Sequence, residues 1–133
     1  MKPKKIWANL SVHDLEKTSK FYGALGFKPN GNGSGAEGTS FFFGKDEFVI
    51  NFFTKKRFDI DINGMASGST AGSEIIFSLS AETQDEVNKC AEEVRKIGGT
   101  IISEPKKFGE GYTFAFADPD GHKFNVLYWP GMD

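Results

Sequence analysis

The sequence predicts an α+β chain built from two βαβββ modules whose sheets are mostly antiparallel and cup-shaped, with helices on their outer faces. Three observations carry that expectation. The order of strand, helix and three further strands can be traced twice along 133 residues, and such an internal repeat decides an architecture before any detail does. The last stretch, Tyr112 to Trp129, reads as two strand-like runs around Asp118-Pro119-Asp120-Gly121, in which Pro presets φ and Gly accepts conformations closed to other residues. Aromatic residues make up 14% of the chain and 14 residues are Phe, a composition suited to strands over a thick aromatic core.

In the first module, residues 5–12 alternate. Ile6, Ala8, Leu10 and Val12 fall on one face, and Trp7, Asn9 and Ser11 on the other. Asp14 is placed to cap a helix running to about Leu25, with Leu15, Thr18, Tyr22 and Leu25 at helical spacing and Gly26 as its stop. Phe27-Lys28-Pro29 begins a short extended piece. Residues 30–38 carry four glycines and read as too flexible for the interior of an element. Thr39–Phe43 and Glu47–Phe53 form a hairpin around Gly44-Lys45-Asp46.

Residues 55–73 break the pattern, and their small residues around one apolar patch read as a linker with a possible lid. The second module then opens with a strand from Glu74 to Ser80. Ile75, Phe77 and Leu79 fall on one face, and Glu74, Ile76 and Ser78 on the other. Thr83 and Glu86 have the spacing of a capping box for a helix to residue 97, with Val87, Cys90, Ala91, Val94 and Ile97 on one side and Gly98-Gly99 ending it. Thr100–Ser103 is a short strand before the final hairpin. There Phe124, Val126 and Tyr128 face helices, and Lys123, Asn125, Leu127 and Trp129 face away. The expected organisation is one domain over residues 1–133, with modules at 4–54 and 74–130.

Composition excludes several function classes. A net charge of −2 with both signs interspersed leaves no basic footprint for nucleic acid. No apolar run approaches the ~20 residues that a membrane span requires. A single cysteine, Cys90, cannot form an internal disulfide, which fits a reducing cytoplasm. Its place on a helical apolar stripe makes it a small hydrophobe rather than a nucleophile.

The start Val12-His13-Asp14-Leu15, followed by Phe21-Tyr22 and Leu25-Gly26-Phe27, and the later Gly98-Gly99 and Asp118-Pro119-Asp120-Gly121-His122 together resemble a known group. The chain is similar to the vicinal oxygen chelate superfamily, which includes glyoxalase I, bleomycin and fosfomycin resistance proteins and extradiol dioxygenases. Within it, the sequence most resembles the bacterial branch labelled predicted lactoylglutathione lyase. The resemblance implies a cup holding a divalent metal on four strand positions, usually His, Glu, His and Glu. By register these positions fall on Trp7, Asn51, Glu74 and Asn125. An indole N–H offers no lone pair and a carboxamide is neutral, so one good ligand remains of the roughly three that a catalytic divalent ion needs. His13 and His122 lie at turns and do not replace the missing ligands. The expectation is no metal and no cofactor.

The same face still has chemistry. Trp7, Phe53 and Trp129 supply apolar walls, Asn9, Asn51 and Asn125 supply oriented donors and acceptors, and Glu74 is the candidate acid–base residue. Such a surface suits a small, partly aromatic or amphipathic ligand. Three readings stay open: a metal-independent binder or enzyme, a metal-dependent lyase or isomerase of the lactoylglutathione type, and an interaction module whose polar residues satisfy one another. A homodimer is expected, with no nucleic-acid or membrane partner.

Overall fold

The computed structural model describes residues 1–2, 5–61 and 75–131. The chain divides into two compact units, Met1–Gly72 and Ser73–Asp133. Each unit is a four-stranded mixed sheet with a helix packed on one face.

In the first unit the elements are β1 (Ala8–Val12), α1 (Leu15–Ala24), β2 (Lys28–Pro29), β3 (Gly38–Phe43), β4 (Phe48–Thr54) and α2 (Lys55–Asp61). The sheet order is β1-β4-β3-β2. β1 runs parallel to β4, and the other pairs are antiparallel. Asp14 caps α1 by accepting from the Lys17 backbone N–H, the contact that an Asp at this position exists to make. At the other end Gly26 takes φ +92° and Phe27 N donates to the Tyr22 carbonyl, so the chain reverses where only glycine does so without strain. Thr18, Phe21 and Tyr22 of α1 are buried against Phe41, Phe43, Ile50 and Phe52 of the sheet. Tyr22 lies at the centre, its ring stacked on Phe52 at 4.6 Å and edge-on to Phe43 at 5.7 Å.

The second unit repeats the plan with β5 (Ile76–Ala81), α3 (Gln84–Lys96), β6 (Thr100–Phe108), β7 (Gly111–Ala117) and β8 (Lys123–Tyr128). Its order is β5-β8-β7-β6, again with one parallel pair, β5–β8. Thr83 Oγ1 accepts from Glu86 N. The return bond of the box reaches one residue further back, since the Glu86 carboxylate accepts from Glu82 N rather than Thr83 N. Val87, Ala91 and Val94 pack on the near-parallel rings of Phe114, Phe116 and Phe124. Tyr112 donates its hydroxyl to Asn88 Oδ1, which fixes that strand face to the helix. The Asp118 carboxylate is 3% exposed and accepts from the backbone N–H groups of Asp120 and His122. That contact locks the β7–β8 turn.

Three sequence expectations are corrected. The second strand of the second unit is nine residues long rather than four. It crosses Pro105 because β6 is an edge strand and its register shifts twice against β7, the setting in which a strand tolerates proline. The segment read as a linker from residue 55 begins with the helix α2, and Thr54 Oγ1 accepts from Arg57 N in its first turn. Residues 62–74 lie outside the described residues, and with them Glu74 and the remainder of that segment. Finally, the glycine-rich stretch 30–38 is ordered by hydrogen bonds. It holds a single 3-10 turn, Gly31–Gly33, Asn30 N donates to Ser40 O, and Ser34 Oγ accepts from Ser40 N.

Cys90 is half-buried on α3. Burial, reinforced by the nearby Glu86 and Glu93 carboxylates, pushes its thiol up to about 11. The thiolate is the reactive form, so alkylation by iodoacetamide at pH 8 should run about a hundredfold slower than at a thiol of ordinary pKa. The rate should keep rising about tenfold per pH unit between 8 and 10. A rate that levels off near pH 9 would contradict this.

Candidate functional site

Among the described residues, each sheet buries one face against its main helix, α1 or α3, and turns its other face away from that helix. The turn between β3 and β4 sets the register of the first open face. Gly44 and Glu47 adopt positive φ, Phe43 lies opposite Phe48, and counting back places Ser40 opposite Asn51. On the far side of β4, Asn51 lies opposite Asn9 of β1. One row therefore crosses three strands as Asn9–Asn51–Ser40.

The row is tied together by its side chains. Asn30 Nδ2 donates to Ser40 Oγ at 3.2 Å, and Ser40 Oγ donates to Asn51 Oδ1 at 2.6 Å. Asn51 Nδ2 in turn donates to Asn9 Oδ1 at 3.0 Å. Ser40 is fully buried because the 3-10 turn lies against it: a Cβ on Gly33 would sit 2.7 Å from the Ser40 Cβ. Asn9 is exposed on the edge strand, so the chain of hydrogen bonds runs from a closed end to an open one. The next row holds Ser11, Phe53 and Gly38. The Phe53 ring lies on Gly38, where an added Cβ would meet Cδ1 at 2.7 Å, and Arg57 places its guanidinium 4.9 Å from that ring's centroid. Trp7 precedes β1 and is 55% exposed.

The second open face has the corresponding row Ser78–Asn125–Ala115–Ser103, drawn from four strands. Here the carboxamide oxygen is not engaged. Asn125 Oδ1 is buried and has no hydrogen-bond partner among the described residues. Trp129, two residues further along this face than Leu127, covers the β6–β7 turn. A Cβ on Gly111 would meet the Trp129 ring at 2.6 Å and the Tyr128 carbonyl oxygen at 2.5 Å.

The two units can be laid on one another by their helix caps. Val12 and Ala81 each stand two residues before the capping side chain, Asp14 and Thr83. In this register Asn9 corresponds to Ser78, Asn51 to Asn125, and Trp7 to Ile76. Ile76 rather than Glu74 thus stands in the position equivalent to Trp7. Of the residues expected at the site, Asn9 and Asn51 are in direct contact, and Phe53 lies in the row beside them. Asn125 and Trp129 belong to the other unit. Sequence reasoning missed Ser40, Asn30 and Arg57. Ser40 was accessible by counting back from the β3–β4 turn, whereas Asn30 and Arg57 sit in segments whose order carries no periodic signal.

Comparison with known proteins places the chain in a family. A family model described as the Glyoxalase/Bleomycin resistance protein/Dioxygenase superfamily matches residues 6–126. The chain belongs to that superfamily. Among solved structures, it is 32% identical to a hypothetical protein from S. aureus, with a TM-score of 0.84 over 96% of this chain and 95% of that one. A glyoxalase-related enzyme from Fulvimarina pelagi superposes with a TM-score of 0.82 at 24% identity, covering 96% of this chain and 90% of that one. The fosfomycin resistance protein FosX from Listeria monocytogenes, solved with Mn(II) and sulfate, superposes with a TM-score of 0.70 at 18% identity over 98% and 94% of the two chains. No curated protein matches the chain.

Superfamily membership raises the question of a divalent metal, and the donors at the implied positions among the described residues, Trp7, Asn51 and Asn125, do not suit one. Asn51, at a position where the resemblance implies a carboxylate, already accepts from Ser40 and donates to Asn9. Neutral carboxamides and an indole offer a divalent ion little against its hydration shell. Among the described residues no group of three or more His, Cys, Asp or Glu is gathered closely enough to hold one. Nor is any helix of the described residues long and apolar enough to cross a membrane.

Proposed function

We propose that this superfamily member binds a small, partly aromatic or amphipathic molecule on the open faces of its sheets without a metal ion. Sequestration, or chemistry driven by hydrogen bonding, is the role that follows. The observation that carries the reading is the hydrogen-bonded chain Asn30–Ser40–Asn51–Asn9, in which Asn51, at one metal-ligand register position, is already bonded to neutral groups on both sides. Phe53 with Arg57 above it adds an aromatic surface and a cation beside that chain. Aromatic walls with a few fixed polar groups are the usual make-up of a small-molecule site.

The reading departs from a metal-dependent lactoylglutathione lyase, the activity that resemblance to that branch implies. Glu74 remains the carboxylate proposed for acid–base work if the bound molecule is turned over. The protein is proposed to act in the cytoplasm as a homodimer, with Phe108, 61% exposed, among the apolar groups available for pairing.

Metal analysis tests the central claim. Protein purified without chelators should carry less than about a tenth of an equivalent of nickel, zinc, iron or manganese, and 1 mM manganese chloride should leave the melting temperature unchanged. A site with a Kd near 10 μM would be stabilised by roughly 2.7 kcal/mol at that concentration, a shift too large to overlook. Stoichiometric metal, or such a shift, would overturn the reading.

A further inference from the structure

The row Asn9–Asn51–Ser40 and the row Ser78–Asn125–Ala115 are the same construction made twice. In the first, a carboxamide oxygen on the central strand receives the hydroxyl of the residue opposite it on the neighbouring strand, Ser40 to Asn51. In the second, the residue opposite Asn125 is Ala115, whose methyl group donates nothing. The consequence is the orphaned, buried Asn125 Oδ1. A buried acceptor without a partner opposes folding, and an apolar residue of similar size would avoid that opposition. Leu127, the next residue on this face of β8, and Val49, the Asn51 neighbour on β4, show that apolar residues are accommodated on both open faces.

We propose that Asn125 Oδ1 is a ligand acceptor. The second open face takes a molecule that presents an N–H or O–H donor, such as a carboxamide, amine or hydroxyl group, to the position where a serine at residue 115 would place its own hydroxyl. Ser78, opposite Asn125 on β5 and exposed, adds a hydroxyl beside the same group. This assignment rests on the small-molecule reading above and names the chemical class of molecule that reading leaves open.

The test uses two probes that differ in one donor. N-methylbenzamide keeps an amide N–H, and N,N-dimethylbenzamide replaces it with a methyl group. Each is titrated into the full chain while NMR follows the Asn125 side-chain amide and the Ala115 and Leu127 backbone amides. N-methylbenzamide should bind about fivefold more tightly, the size of one neutral hydrogen bond, and should shift the Asn125 resonances. Ala115→Ser should raise the melting temperature without ligand and erase the preference, since the introduced hydroxyl would satisfy the acceptor internally. Asn125→Leu should erase it as well, by removing the acceptor at similar volume. Equal binding of both probes would overturn the donor assignment while leaving the small-molecule reading intact. A preference that survives in Ala115→Ser and Asn125→Leu would show that another residue supplies the acceptor. Absence of any perturbation on this face at 10 mM probe, about ten-thousandfold above a micromolar Kd, would overturn both readings.

Discussion

Tyr22→Ala should cost about 3–5 kcal/mol of unfolding free energy, the range for deleting a fully buried aromatic side chain. Tyr22 is 0% exposed, and its ring meets those of Phe21, Phe27, Phe41, Phe43 and Phe52 at centroid distances of 4.6 to 6.2 Å. Such rings interlock from both sides, from α1 and from the strands, so neighbours cannot collapse into the space without leaving their own rotamers. Urea unfolding followed by circular dichroism measures the loss. A cost below about 1 kcal/mol would mean that the pocket around residue 22 refills, and that the α1–sheet contact is not what holds the first open face in place.

That aromatic core was legible in the sequence because it rests on periodicity. Leu15, Thr18 and Tyr22 recur at helical spacing, Phe41 and Phe43 at strand spacing, and the caps Asp14 and Thr83 stand where the helices begin. Alternation also placed Asn9, Asn51 and Asn125 on faces turned away from the helices. What stayed hidden was tertiary. Residues 30–38 read as flexible from their glycines, yet Gly33 is small so that the turn can rest on Ser40. That is a close approach, which glycine permits as readily as it permits disorder. The helix Lys55–Asp61 has only seven residues, too few for an amphipathic pattern to stand out, and its stability comes from packing on β1 and β4.

The site was half legible for a related reason. Strand parity tells which residues share a face, but not which of them bond to each other. The choice between a ligand cup and self-satisfied polar residues therefore turned on partners across strands. The first unit gives the self-satisfied arrangement, with Asn51 held by Ser40 and Asn9. In the second, the single exchange of a hydroxyl for a methyl at residue 115 leaves the buried Asn125 Oδ1 without a partner. Neither outcome follows from composition, because each row reads as an amide on the central strand between small or polar neighbours.

Asn51→Leu should destabilise the chain by about 2–3 kcal/mol, combining two lost hydrogen bonds with the cost of a stranded buried hydroxyl. Ser40 Oγ is shielded by the 3-10 turn and has Asn51 Oδ1 as its acceptor at 2.6 Å. With leucine at residue 51 that hydroxyl proton has nowhere to go unless the turn lifts away. The Asn30 contact to Ser40 should weaken with it, so hydrogen exchange in residues 30–35 should accelerate in the variant. Asn51→Asp is the control. A carboxylate still accepts from Ser40, and the exposed Asn9 carboxamide can rotate to donate, so the cost should stay within about 1 kcal/mol. The same leucine substitution at the equivalent position of the second unit, Asn125→Leu, should have the opposite sign, because it removes an acceptor that has no partner to lose. Chemical denaturation of the three variants reads all of these effects. Equal destabilisation by leucine at 51 and at 125 would mean that the two carboxamides are satisfied alike and that the difference between Ser40 and Ala115 has no energetic consequence.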